Sequence, residues 1–179
     1  AYVGVGVLRD VSGNDLYDVG FSGQAYAGVA GLGVLWDGHG NDRYTAGGRK
    51  HDTDRHDQRY LSMAQGFAIG TRPFSGGGIA ALIDMQGNDA YVADVFGQGA
   101  SYWYAFGALL DMGGHDTYTI YHYGQGSGIH LSTGLLVDGG GDDYYTGYSL
   151  VQGNAHDYAV GMLFDHSGND QYAAHEHAQ

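Results

Sequence analysis

The chain has 179 residues, of which 34 are glycine and one is proline, with no cysteine and a net charge of −13. No disulfide and no thiolate metal site can form, the acidity disfavours nucleic acid and anionic lipid, and no apolar run reaches the roughly 18 residues of a membrane span. An aromatic content of 13% and an apolar content of 43% argue against disorder.

The first predicted strand is the Val/Leu-rich run GVGVLRD at 4–10, far too short for a helix. It ends in an octet, DVSGNDLY at 10–17, that combines two aspartates with turn-forming Gly and Asn and a closing tyrosine. The octet returns as DGHGNDRY from Asp37, DMQGNDAY from Asp84, DMGGHDTY from Asp111, DGGGDDYY from Asp138 and DHSGNDQY from Asp165. The spacing is 27 residues throughout, except for one gap of 47 after Asp37, which implies a 20-residue insertion in the second unit. Other columns keep the phase. Leucine stands two before each leading Asp (Leu8, Leu35, Leu82, Leu109, Leu136, Leu163), glycine three after, aspartate five after and tyrosine seven after. Glutamine stands fourteen after in Gln24, Gln98, Gln125, Gln152 and Gln179, with Gln65 displaced in the second unit.

Each unit reads as three short strands separated by turns, without sustained helical periodicity. A repeat of this length fits one coil of a parallel β-helix. The expected fold is all-β: a β-solenoid of about six 27-residue coils forming one domain over 1–179, with insertions at about 45–64 and 70–78. Stacking puts equivalent residues about 4.8 Å apart. The Leu column becomes a core stripe and the Tyr column a stack, while the Gly columns admit close approach. The Gln column is expected to form an amide ladder.

Stacking also aligns two columns of carboxylates: Asp10, Asp37, Asp84, Asp111, Asp138 and Asp165, then Asp15, Asp42, Asp89, Asp116, Asp143 and Asp170. Neighbours at about 4.8 Å repel by roughly 1 kcal/mol in water and about 3.5 kcal/mol at an effective dielectric of 20. Two devices can offset that. An Asp opening a turn accepts backbone N–H groups in an Asx-turn. Alternatively, a hard cation, Ca²⁺, sits among the oxygens. The turns at DGHGNDRY and DGGGDDYY resemble the glycine–aspartate nonapeptide of the repeats-in-toxin family, through Gly38 and Gly139, Gly40 and Gly141, Asp42 and Asp143, and Tyr44 and Tyr145. The resemblance spans about eight residues per unit and implies Ca²⁺ held between stacked turns. The family's first glycine is Asp in all six units here, and the second glycine is kept in two.

The insertion carries GGRKHDTDRHDQRY at 47–60 and is expected to project from the solenoid edge as a contact or site. Its candidates are Arg49, Lys50, His51, His56 and Arg59, joined by the aromatics of YWY (Tyr102, Trp103, Tyr104) and YHY (Tyr121, Tyr123). His51 with His56, and His175 with His177, have spacings open to a transition metal. His39, His115, His122, His130, His156 and His166 fall between the columns and read as incidental. The resulting expectation is a non-enzymatic structural or binding module, extracellular or in the periplasm or cell envelope. The alternative is a carbohydrate-active, polysaccharide-binding or lyase-like protein using the loop and an aromatic wall. Neither terminus looks like a cap, so the chain is expected to continue as an array or to meet a copy or another protein at its solenoid ends.

Overall fold

The computed structural model describes residues 1–178, which leaves the last member of the glutamine column, Gln179, outside the described residues. The fold is all-β, with no helix among the described residues, and forms a parallel β-solenoid of about six turns. The first face stacks six strands, Val5–Arg9, Leu32–Asp37, Ile79–Asp84, Phe106–Asp111, Thr133–Asp138 and Val160–Asp165, in chain order. The second face stacks Leu16–Val19, Arg43–Ala46, Ala90–Val92, Thr117–His122, Tyr144–Val151 and Gln171–Ala178. A narrower third face is built from Ala68–Ile69, Ser101–Tyr102, Gly128–Ile129 and Ala155–His156.

The register is that of the repeat: Leu109 pairs with Leu82 and Leu136, and Asp111 with Asp84 and Asp138. Alternation along each strand then decides what is buried. On the first face, Leu and the Asp two residues later share the inward side, so Leu35, Leu82, Leu109 and Leu136 line the core and Asp37, Asp84, Asp111 and Asp138 follow them inward. From the second face come Tyr17, Tyr44, Tyr91, Tyr118, Tyr145 and Tyr172. Their rings stack at 4.8–4.9 Å, and the planes of neighbours lie within 6° of one another.

The glutamine column works differently from an amide ladder. Each Gln Nε2 donates to two backbone carbonyls, as Gln98 does to Tyr91 and Thr119 at 3.0 Å each, while the Oε1 atoms of Gln24, Gln65, Gln98 and Gln125 are buried without partners. The reason is the corner. Gln24, Gln65, Gln98, Gln125 and Gln152 lie at φ 48–56°, a left-handed bend that turns the side chain back across the second face. The amide thus bridges two coils by their main chains, not by neighbouring side chains.

The insertion is also different from a projecting loop. Its two parts, at 45–64 and 70–78 as expected, fold separately. Residues 45 and 46 still belong to the second-face strand Arg43–Ala46, and the added chain forms an antiparallel hairpin, Lys50–Asp52 with His56–Leu61. The hairpin folds back onto the wall: Tyr60 N–H donates to Asp94 Oδ2 at 2.7 Å, Val95 N–H donates to the Tyr60 carbonyl at 3.1 Å, and Asp52 and Leu61 are buried. Cation–π contact to Tyr121 and Phe21, described below, draws it inward. The second addition, within 70–78, is a tight turn closed by the Ser75 N–H to Thr71 carbonyl bond of 2.9 Å.

Candidate functional site

The aspartate turns line one edge of the solenoid, between the first and second faces. Each leading Asp except Asp37 closes an Asx-turn: Oδ1 accepts the N–H two residues on, at 3.2 Å from Gln86 to Asp84, 3.0 Å from Gly113 to Asp111 and 2.8 Å from Gly140 to Asp138. Its Oδ2 accepts a tyrosine hydroxyl from the preceding coil, at 2.7 Å from Tyr44 to Asp84, 2.7 Å from Tyr91 to Asp111 and 2.8 Å from Tyr118 to Asp138. Tyr17 reaches Asp37 in the same way. The tyrosine stack is therefore both the core and the donor array for the first carboxylate column.

The second column is held by main chain alone. Oδ1 of each Asp accepts the N–H of its counterpart one coil earlier: Asp15 to Asp42, Asp42 to Asp89 and Asp89 to Asp116 at 2.6 Å, Asp116 to Asp143 at 2.7 Å and Asp143 to Asp170 at 3.0 Å. A third ladder, unforeseen from the sequence, runs beside it in the opposite sense. Asn41, Asn88, His115, Asp142 and Asn169 each donate N–H back to the side chain one coil earlier, at 2.8–2.9 Å. Asn, His and Asp all fill this column because each offers an acceptor there. His115, seemingly incidental in the sequence, is a rung, its Nδ1 accepting from Asp142.

What remains unmatched is the second oxygen of the second column. Asp42, Asp89, Asp116 and Asp143 are at most 2% exposed, yet their Oδ2 atoms have no hydrogen-bond partner, and the same holds for Oδ1 of Asp37. The residues that carry these orphaned atoms sit among neighbouring carboxylates. Oxygens lie within 4.8 Å of one another in five trios: Asp10–Asp15–Asp37, Asp37–Asp42–Asp84, Asp89–Asp111–Asp116, Asp116–Asp138–Asp143 and Asp143–Asp165–Asp170. Every trio contains at least one aspartate with an orphaned oxygen. Burial drives the affected acids toward the protonated form. Desolvation, with the adjoining carboxylates adding to it, pushes Asp42 and Asp143 up to about 6 and Asp89 up to about 8, and raises Asp84, Asp111 and Asp116 as well. Their backbone hydrogen bonds pull the other way without cancelling the effect.

The donor set fits a hard divalent cation. It is all oxygen, and two oxygens bound to one Ca²⁺ at 2.3–2.6 Å lie no more than about 5 Å apart. Charge fits as well. The two columns hold twelve of the twenty acids, so they account for nearly the whole net charge of −13. One divalent cation per coil balances two carboxylates per coil.

The remaining sequence candidates are dispersed. Arg49 lies over Gly20, Lys50 sits 4.5 Å from the Phe21 ring, and His51 packs on Tyr60 at 4.4 Å. His56 meets His122 at 4.7 Å and Tyr121 at 5.1 Å, while Arg59 covers the Tyr121 ring at 3.9 Å. Tyr102, Trp103 and Tyr104 lie on and just beyond the third face, where Trp103 faces Tyr104 at 5.3 Å and Tyr102 meets His130 at 4.9 Å. Tyr121 stacks on Tyr148 at 4.7 Å, Tyr123 on Phe96 at 4.9 Å, and His175 on Tyr148 at 4.7 Å. Tyr121 belongs to the second face and Tyr102 to the third, and Phe96 joins the two clusters, edge-on to Tyr102 at 6.1 Å and stacked on Tyr123. His122 is buried with its Nδ1 unpartnered, and burial next to His56 lowers its pKa to about 4. Between the hairpin and the second face runs a groove of about 570 Å³, bordered by Thr45, Arg59, Asp94, Thr119, Tyr121 and Tyr148. Compared with known proteins, the chain matches no family model, no curated protein and no solved structure.

Proposed function

We propose that this chain is a non-enzymatic structural module, a rigid solenoid stabilised by Ca²⁺ in its aspartate turns and working outside the cytoplasm. The observation that carries the reading is that buried aspartates with an unpartnered oxygen belong to carboxylate trios whose oxygens approach within 4.8 Å. A buried anionic oxygen without a partner costs several kcal/mol, and a cation shared between coils removes that cost at each rung. Carboxylate sites of this kind suit the millimolar calcium of extracellular modules, which supports an extracellular or cell-envelope location. Calorimetric titration and thermal melting test it. Up to five Ca²⁺ ions per chain are expected, one for each trio. A site at a hundredfold excess over Kd contributes about 2.7 kcal/mol, and 1 kcal/mol moves the midpoint of a chain this size by about 2–4 °C. Calcium should therefore raise the melting temperature by at least about 10 °C over EGTA, with Mg²⁺ much weaker because it dehydrates reluctantly. Equal midpoints and no bound ion would overturn the reading.

A second reading, binding of a polysaccharide strand, is favoured by the groove beneath the hairpin, lined by Thr119, Thr146, Tyr121, Tyr148 and the Arg59–Asp94 pair at 3.7 Å. Deleting 47–60 restores the six-residue spacing that other coils keep between the Tyr and Gln columns. The deleted chain should stay folded, melt several degrees lower through the loss of buried Asp52 and the Tyr60 bonds, and lose retention on an acidic or neutral glycan gel. Unchanged retention removes the groove from consideration.

A further inference from the structure

We infer that the hairpin at 50–61 is an acid-released flap, closed on the wall at neutral pH and let go when His122 beneath it takes up a proton. The inference stands apart from the cation reading of the turns.

The switch lies at the corner where the second face ends. His122 closes the strand Thr117–His122 and follows Leu61 and Val95 in one column, with Ser149 in the coil after it. The hairpin covers this corner. The His56 ring meets the His122 ring nearly edge-on at 4.7 Å, and Arg55 lies 5.1 Å over the ring of Phe96, whose N–H donates to the His122 carbonyl at 3.0 Å. His122 is 7% exposed, and its Nδ1 has no hydrogen-bond partner.

A neutral imidazole suits this place and an imidazolium does not. Protonation makes both ring nitrogens donors, and Nδ1 has no acceptor among the described residues. The charge meets no counterion. The groups that act on it are His56 and Arg55 from the hairpin and His177 from the strand Gln171–Ala178, and all three oppose it. The nearby acids are engaged elsewhere. Asp52 pairs with Arg55 at 3.3 Å, and Asp94 accepts the Tyr60 N–H at 2.7 Å with Arg59 at 3.7 Å. Asp54 and Asp57 are exposed, and Glu176 stands two coils along the column, about 10 Å away. Lys50 and Arg59, over Phe21 and Tyr121, add further positive charge.

Burial, then His56 and Arg55, hold the pKa of His122 at about 4, whereas a histidine in water titrates near 6.5. The open flap therefore binds more protons than the closed one between those values. Closure is complete above pH 6.5 and weakens as pH falls toward 4. At pH 5 the closing equilibrium should be about thirtyfold less favourable than at pH 7.5.

The hairpin has hinges for this motion. It leaves the second face through Gly47 and Gly48, at φ 130° and 77°, and a Cβ on Gly48 would meet nothing. Leu61 holds the return strand at its bridge to Val95. Opening between these points breaks the two bonds that join Tyr60 to the wall and takes Arg59 away from the groove. The groove is thus complete at neutral pH and loses its Arg59 side in acid.

Amide hydrogen exchange followed by NMR in EGTA tests this, with protection taken relative to the free-chain rate at each pH. From pH 7.5 to pH 5, protection at the Tyr60 and Val95 amides should fall about thirtyfold, while the Leu109 amide of an interior strand should keep its own. His122→Phe retains a ring at the corner but takes up no proton, and His122→Ser copies Ser149 one coil on. Circular dichroism melting verifies that each folds, and in each the ratio of protection between the two pH values should return to about one. Unchanged protection at Tyr60 and Val95 in the unmodified chain would overturn the proposal. An undiminished fall in both variants would place the switch elsewhere and overturn it too. An equal fall at Leu109 would mean that acid opens the whole solenoid and not a flap.

Discussion

Gly114→Ala is expected to lower the melting temperature by about 10 °C or more, or to prevent folding. A Cβ on Gly114 would be driven into the backbone carbonyl oxygen of Gly87 one coil away, and the same collision awaits at Gly40, Gly87, Gly141 and Gly168 against the glycine one coil earlier. The turns stack so closely that the column accepts no side chain. The obstacle is main chain, so no rotamer change relieves it, and separating the two turns breaks the hydrogen bonds on both sides of them. The Gly87 N–H donates to the Gly113 carbonyl at 3.3 Å, and Asp89 N–H to Asp116 Oδ1 at 2.6 Å. Overpacking at such a site costs roughly 4 kcal/mol or more, and about 2–4 °C of midpoint follows from each kcal/mol. Gly48→Ala is the control. It lies in the hairpin at φ 77° with no atom near its would-be Cβ, and should lose only the roughly 1 kcal/mol of a left-handed non-glycine residue. Melting followed by circular dichroism compares them. Equal small losses at the two positions would mean that the turns tolerate separation.

The repeat spacing made the coil, its register and most of its ladders legible in the sequence, because stacking converts a column of letters directly into a column of contacts. Leu35 through Leu136 line the core as their column implies, and the leading aspartates other than Asp37 form the Asx-turns that their place before a glycine suggests. What escaped was set by geometry that letters do not carry. The left-handed corner at Gln98 redirects its amide from the next glutamine to two carbonyls. The rung occupied by Asn41, Asn88, His115 and Asp142 was hidden because several residue types supply the same acceptor. The insertion was expected to project from the edge, but Lys50 and Arg59 find aromatic faces on the solenoid, and Asp52 goes under cover with Arg55 at 3.3 Å. For the carboxylate trios, the sequence placed the acids in columns. Only the structure distinguishes Oδ1, which is hydrogen-bonded along the second column, from Oδ2, which is not.

That orphaned oxygen leads to an inverted pH dependence. Without a cation, the solenoid should lose stability as pH rises. An unfolded aspartate releases its proton near pH 3.9, whereas folded Asp42 and Asp143 hold theirs to about 6 and Asp89 to about 8. Between those values the folded chain binds more protons than the unfolded one, so stability falls with increasing pH. The contribution is whole below pH 3.9 and gone once pH passes the folded values. His122 acts in the opposite sense. Its pKa is lowered to about 4, so it withdraws stability as pH drops from 6.5 toward 4 and partly offsets the carboxylates there. In EGTA the melting temperature should fall by roughly 10 °C from pH 5 to pH 8. Excess calcium should flatten or reverse the slope, because the cation binds only deprotonated carboxylates and gains affinity with pH. Asp116→Asn separates proton from cation. The amide keeps the Oδ1 acceptor for Asp89 N–H at 2.6 Å and places a donor where Oδ2 has no partner, facing the carboxylates of Asp111 and Asp138. At pH 8 the variant should be more stable than the parent in EGTA, less stable in calcium, and short of bound ion. Parallel pH curves in the two media, with the same loss for the variant in both, would leave the aspartate ladder as hydrogen-bonded scaffolding with no role for a cation.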